Sequence, residues 1–134
     1  MTGPATSQTL TVSRGPYELY AELTPGSGPP VVLMHGFPDS THLYDRVVPY
    51  LAGRRPVVRF DFLGWGRSDK PAGYPYTATN QAGDLAAVVG ALDERLGAGQ
   101  LVLVAHSELH LIDGAGHYVQ VDQPQQVADL IASG

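Results

Sequence analysis

Ser107 and His117 are the residue types that nucleophilic acyl transfer needs: a hydroxyl to attack and an imidazole to take its proton. Ser107 follows the apolar run Leu101–Ala105, so it stands at a strand end. His117 follows Gly114 and Gly116, a spacing that lets a loop lift the ring over a sheet edge. The plainer alternatives are a serine that merely ends a strand and an ordinary loop histidine. His35 and Gly36 follow a second apolar run, Val31–Met34. A glycine loop leaving a strand can point backbone N–H groups at a developing oxyanion, or can be a simple turn. The stretch Phe60–Asp69 is glycine-rich, but SDKPAG follows it where a phosphate cradle needs a helix start. Asp61, Gly64, Gly66 and Ser68 are therefore expected to hold a tight turn in shape. In a continuous strand His106, Glu108 and His110 would share one face, a set able to bind a divalent metal. The plain reading of His110 is accident, and no metal or other cofactor is expected.

The elements that must position these residues follow from patterning. Thr9–Val12 and Tyr17–Leu23 alternate about a Gly-Pro pair and predict a hairpin. Val31–Met34 and Leu101–Ala105 are continuous apolar runs, as in strands covered on both faces, and Pro56–Phe62 reads as a further buried strand. Leu43, Val47, Val48 and Leu51 share a helical face, with a break or fresh start expected near Pro49. A longer helix is predicted over Thr79–Leu96, with Ala82, Leu85, Val88, Val89, Leu92 and Leu96 inward and Gly97 and Gly99 as its stop. Pro124–Ala132 predicts a short final helix. Strands alternating with helices imply an α/β fold, a mostly parallel sheet with helices on both faces. Sites in such sheets lie beyond the carboxyl ends of the strands.

A chain of 134 residues suits one domain and buries a real core. The net charge of -5 argues against nucleic acid or an anionic membrane as partner. No cysteine is present, so disulfides and thiolate metal sites are excluded. The first residues, MTGPATSQTL, carry no basic region ahead of an apolar run, and no stretch approaches membrane-spanning length. A cytoplasmic protein without a membrane partner is the resulting expectation.

In order along the chain, these motifs resemble the α/β-hydrolase superfamily, in particular the branch with HGFP-type loops that includes epoxide hydrolases, haloalkane dehalogenases and related esterases. His35, Gly36 and Pro38 match the family's first motif, and Asp61, Gly64, Gly66 and Ser68 its D-x-x-G-x-G-x-S turn. Ser107 stands where the nucleophile elbow places its serine. Gly114, Gly116 and His117 match the late histidine loop. The resemblance implies Ser107 as nucleophile, His117 as base and backbone donors at Phe37 and Glu108 as the oxyanion hole. Asp122 or Asp113 would orient His117 in place of the family's acid. The implied activity is hydrolysis of a small carboxylic ester.

The sequence also departs from the family. Ala105 and Leu109 replace the glycines flanking the elbow, and many HGFP relatives carry Asp as nucleophile. Between residues 107 and 108 the chain passes from elbow to terminal strand, as though the cap, the acid loop and two strands were excised. If the join falls after His106, Ser107 belongs to the later segment and was never a nucleophile. Parallel neighbours need a crossover of about a dozen residues, and none separates Leu101–Ala105 from Leu109–Asp113. One continuous strand would run about 40 Å at roughly 3.3 Å per residue and overhang the sheet. Exposed Leu109, Leu111 and Ile112 would then seek a partner edge, giving a domain-swapped homodimer. The alternative is a sharp bend at His106–Glu108 that returns the chain to its own sheet. A catalytically dead remnant or engineered fragment is the competing functional expectation.

Overall fold

A computed structural model of the chain describes residues 7–36, 40–97 and 100–105, together with Gln125 and Ala128. Strands β1 (Gln8–Arg14) and β2 (Tyr17–Thr24) form the predicted hairpin, longer than its alternation indicated. Arg14 pairs with Tyr17, so Gly15 and Pro16 make the whole turn, with Gly15 at φ +59. Strands β3 (Val31–Met34), β4 (Val57–Phe60) and β5 (Val102–Ala105) complete one sheet in the order β1-β2-β4-β3-β5. The pairings β4–β3 and β3–β5 are parallel, whereas β1–β2 and β2–β4 are antiparallel.

Helices cover both faces. A 3₁₀ turn (Thr41–Tyr44) and the short helix α1 (Val48–Leu51) pack Leu43, Tyr44, Val47 and Leu51 onto Val31, Leu33 and Val57. Pro49 starts α1 in its first turn, where its missing N–H has no partner to lose. Helix α2 (Ala78–Leu96) packs Val88 and Leu92 onto Val32, Val58 and Phe60 from the other side. Thr77 caps its start by accepting the Asn80 N–H, and Gly97 ends it at φ +59. Gln125 and Ala128 are helical, and Ala128 is fully buried in the cluster on the α1 face of its own sheet.

Three expectations need correction. The β4 strand stops at Phe60 rather than Phe62: the Asp61 N–H still bonds the Tyr20 carbonyl, but beyond it Ser68 and Asp69 take over as partners of β2. The buried stripe of α2 runs through Asp84, Val88 and Leu92. Ala82 and Leu96 of the expected face are exposed, because Asp84 is drawn inward by partners described below. Strand β5 is not covered on both faces: Val104 is buried, but Leu103 on the α2 side is 45% exposed. Among the described residues nothing pairs with the outer edge of β5. Residues 106–113, on which the overhanging strand and exchange between copies depend, lie outside the described residues.

Candidate active site at the carboxyl ends of the strands

The parallel strands end together. Met34 of β3 is paired with Phe60 of β4 on one side and with Ala105 of β5 on the other. The chain continues from these three ends as His35, Asp61 and residue 106.

His35 is buried, and both its ring nitrogens are engaged. Nε2 accepts the Phe62 N–H at 3.1 Å. An amide N–H only donates, so Nε2 carries no proton, and Nδ1 bears the hydrogen directed at the Gly36 carbonyl oxygen, 2.8 Å away. The ring also meets Phe62 edge-on, with centroids 5.1 Å apart. His35 is therefore a fixed connector between the β3 and β4 loops. It has no free nitrogen for proton transfer. Beside it, the Tyr44 hydroxyl donates to the Met34 carbonyl at 2.7 Å and closes the end of β3.

Asp61 is the hub of the second loop. Its buried carboxylate accepts the Thr41 N–H at 2.7 Å on Oδ1 and the Arg67 N–H at 3.0 Å on Oδ2. The first bond ties the loop after β4 to the far end of the loop after β3, while Ser40 caps the 3₁₀ turn by accepting the His42 N–H. Gly66 stands at φ +51, and a Cβ there would fall 2.2 Å from Asp61 Oδ2. Ser68 is buried, donates to the Asp61 carbonyl and accepts the Tyr20 N–H at 2.8 Å. Asp69 accepts the Glu18 N–H and returns its own N–H to the Glu18 carbonyl. The loop 61–69 thus serves as pairing partner for the first half of β2, where β4 does not reach. The expectation of a turn held in shape is met at Asp61, Gly66 and Ser68. The next helix, α2, begins only at Ala78, so no helix start follows the glycines as a phosphate cradle would require.

Sequence reasoning missed Asp84. It is buried in α2, accepts Arg14 Nε at 3.0 Å on one oxygen and the Leu63 N–H at 3.1 Å on the other. It also missed the chain of charges on the α1 face. Arg59 pairs with Glu22 at 2.9 Å and with Asp45 at 2.6 Å, and Asp45 also meets His42 Nδ1 at 3.0 Å. Partial burial pushes the Asp45 carboxyl upward, but hydrogen bonds and charges from His42 and Arg59 outweigh it and hold the group below 3.8.

Ser107, His117, Asp113, Asp122, Glu108, Phe37 and Pro38 lie outside the described residues, as do His106 and His110 of the metal reading. Among the described residues no group of three metal-ligating side chains occurs, and no helix is long and apolar enough to cross a membrane. A shallow groove of about 500 Å³ lies at the opposite end of the sheet, lined by Gly26, Gly28, Pro29, Pro30, Pro56, Leu96 and Gln100. It has no ionisable side chain in its lining and thus no means of acid–base chemistry.

Residues 29–107 match the sequence model of a family described as alpha/beta hydrolase fold. The chain is 37% identical over 105 residues to a fluoroacetate dehalogenase from Burkholderia sp., covering 78% of this chain and 34% of that protein. It is 46% identical over 94 residues to a probable oxidoreductase EphD from Mycobacterium tuberculosis, covering 66% of this chain and 16% of that one. Among solved structures, an epoxide hydrolase from Vigna radiata superposes with a TM-score of 0.65 at 29% identity, over 75% of this chain and 32% of its own. The haloalkane dehalogenase DatA from Agrobacterium tumefaciens superposes at 0.60 and 28% identity, over 74% of this chain and 32% of its own. The chain spans about a third of the length of that fluoroacetate dehalogenase and of both solved structures.

Proposed function

Because the chain belongs to the α/β-hydrolase family, we propose that it hydrolyses small carboxylic esters, with Ser107 as nucleophile and His117 as base. One observation carries this reading. Met34 and Ala105 are paired in parallel, so the loops that continue to Phe37 and Ser107 leave the sheet from adjacent strands, about 4.8 Å apart. A backbone donor and a nucleophile delivered side by side are the two parts an acyl transfer must bring together.

Ser107 Oγ attacks the ester carbonyl while His117 takes its proton, and the oxyanion is held by the N–H groups of Phe37 and Glu108. The alcohol leaves with the proton from His117, and water then cleaves the acyl-enzyme with His117 again as base. Asp122, or Asp113, orients the imidazole. The relatives named as dehalogenases and epoxide hydrolases act on other bonds, and the nucleophile's chemistry separates them from this chain. A serine that displaced halide from carbon would be left as an alkyl ether, which water does not cleave, whereas a serine acylated by an ester is released. No cofactor enters these steps.

The burial of Ala128 against its own sheet supports a tail that returns to its own chain, so His117 serves Ser107 of the same copy. A stable dimer in light scattering would point to exchange instead. A second functional reading has its own support. A chain whose matched part spans about a third of its relatives' length, with too few residues between Ala105 and Leu109 for a crossover, fits a remnant that folds without turning over. The test is labelling of the folded protein with a fluorophosphonate, together with hydrolysis of p-nitrophenyl acetate. Ester hydrolysis predicts a single adduct on Ser107 and loss of both signals in Ser107→Ala. No adduct on a cooperatively folded chain, or turnover unchanged in Ser107→Ala, selects the remnant.

A further inference from the structure

We propose that the outer edge of β5 is a self-association surface, and that its occupant is β5 of a second copy of this chain, paired antiparallel. This pairing does not depend on turnover at Ser107. Strand β5 ends the sheet, and among the described residues nothing pairs with its outer edge. Val102 donates its N–H to the Pro30 carbonyl at 2.9 Å, on the β3 side. Successive residues of a strand turn their N–H and C=O groups to opposite sides, so Leu103 and Ala105 present theirs to the open edge. Leu103 is paired with Val32, whose side chain belongs to the α2 face, and on that face it is 45% exposed. Helix α2 packs toward β1, at the far side of the sheet, and leaves Leu103 uncovered.

Where the chain ends and what the edge carries select a second copy. The chain's own end returns to the other face: Ala128 is buried with Val31 and Val104 on the α1 side, opposite the exposed Leu103. The run Leu101–Ala105 holds no charge and no proline, the devices that keep edge strands apart. The other free edge, β1, carries Gln8, Thr9, Thr11, Ser13 and Arg14. A β1–β5 contact would also be head-to-tail and would not close, whereas β5 against β5 is isologous and stops at two copies. Opposed residues of an antiparallel pair share a face, so the two-fold axis passes through a residue rather than between two. Centred on Leu103, the pairing sets Leu103 against Leu103 of the partner subunit and joins the two five-stranded sheets into one. The carboxyl ends of the two sets of strands then point in opposite directions, so each copy keeps its own site open. So short an edge makes a contact below the roughly 1,200 Å² of a stable interface, and the dimer is weak and reversible on dilution.

Sedimentation equilibrium of the full chain, from micromolar to millimolar concentration, tests this, with Leu103→Lys and Leu103→Glu run singly and mixed. The parent should pass from monomer to dimer as its concentration rises. Because residue 103 faces itself, either variant alone sets like charges against each other and should weaken the dimer roughly tenfold or more. An equimolar mixture sets lysine against glutamate, and at low salt it should associate within a few-fold of the parent. Circular dichroism should show both variants folded, since the replaced side chain is 45% exposed. In the parent, hydrogen exchange at the Leu103 and Ala105 amides should slow as concentration rises, a readout that needs no substitution. A parent that stays monomeric at millimolar concentration overturns the proposal. A dimer that both charges leave intact does so too, and marks exchanged tails instead. A mixture that stays monomeric beside a dimeric parent also overturns it.

Discussion

Replacing Gly66 with alanine tests the central joint of the loop after β4. The residue stands at φ +51, which costs an L-residue about 1–2 kcal/mol. The added Cβ would also fall 2.2 Å from Asp61 Oδ2, far inside contact distance. The carboxylate has little freedom to retreat, since its two oxygens hold the Thr41 and Arg67 N–H groups. Displacing it from one of them costs roughly 1.5–3 kcal/mol, the range for a hydrogen bond to a charged group. The sum is about 2.5–5 kcal/mol, a large share of the ~5–15 kcal/mol that holds a domain together. At about 4 °C per kcal/mol for a chain of this size, Tm falls by roughly 10–20 °C. Gly53 supplies the control. It has φ +80, yet a Cβ there meets nothing within 4 Å, so Gly53→Ala should lose only the backbone share, about 1–2 kcal/mol. Thermal and urea unfolding followed by circular dichroism measure both. If Gly66→Ala falls within about 1 kcal/mol of Gly53→Ala, the carboxylate is not the obstacle and the hub role of Asp61 is refuted.

Asp84→Ala removes the partner of both Arg14 and the Leu63 N–H, and a loss of about 3–5 kcal/mol in urea unfolding is expected; a loss under about 1 kcal/mol would mean that the pair carries little. Asp45→Asn addresses the outer charges. Its folded pKa lies below 3.8, so its contribution is present above that value and disappears as pH falls through the lower folded one. With the side chain 49% exposed, the difference from the parent should be under about 1 kcal/mol near pH 5 and shrink toward zero near pH 3. A difference that grows on acidification would contradict the assigned direction.

The sheet was legible because its central strands are short and largely apolar, Val31–Met34 without a break and Val57–Phe60 broken only by Arg59, and because Gly15-Pro16 divides two alternating segments. Helix α2 was legible from its period and from Gly97, but its rotation was not. That rotation depends on Arg14, 70 residues away in sequence, and nothing local marks Asp84 as its partner. The exposure of Leu103 was hidden for a related reason. An apolar run reads alike in a central strand and in an edge strand, and only the partners decide. The loop residues Asp61, Gly66 and Ser68 were recognised as a pattern. Their partners Thr41, Arg67 and Tyr20 could not be, because backbone N–H groups carry no signature in sequence.

The loop from Asp61 to Asp69 takes over as ladder partner of β2 where β4 ends, at Glu18 and Tyr20. The need to fold is by itself a sufficient reason for Asp61, Gly66 and Ser68 to stand where they do. A match to this motif therefore reports on the fold, and turnover has to be tested at the serine.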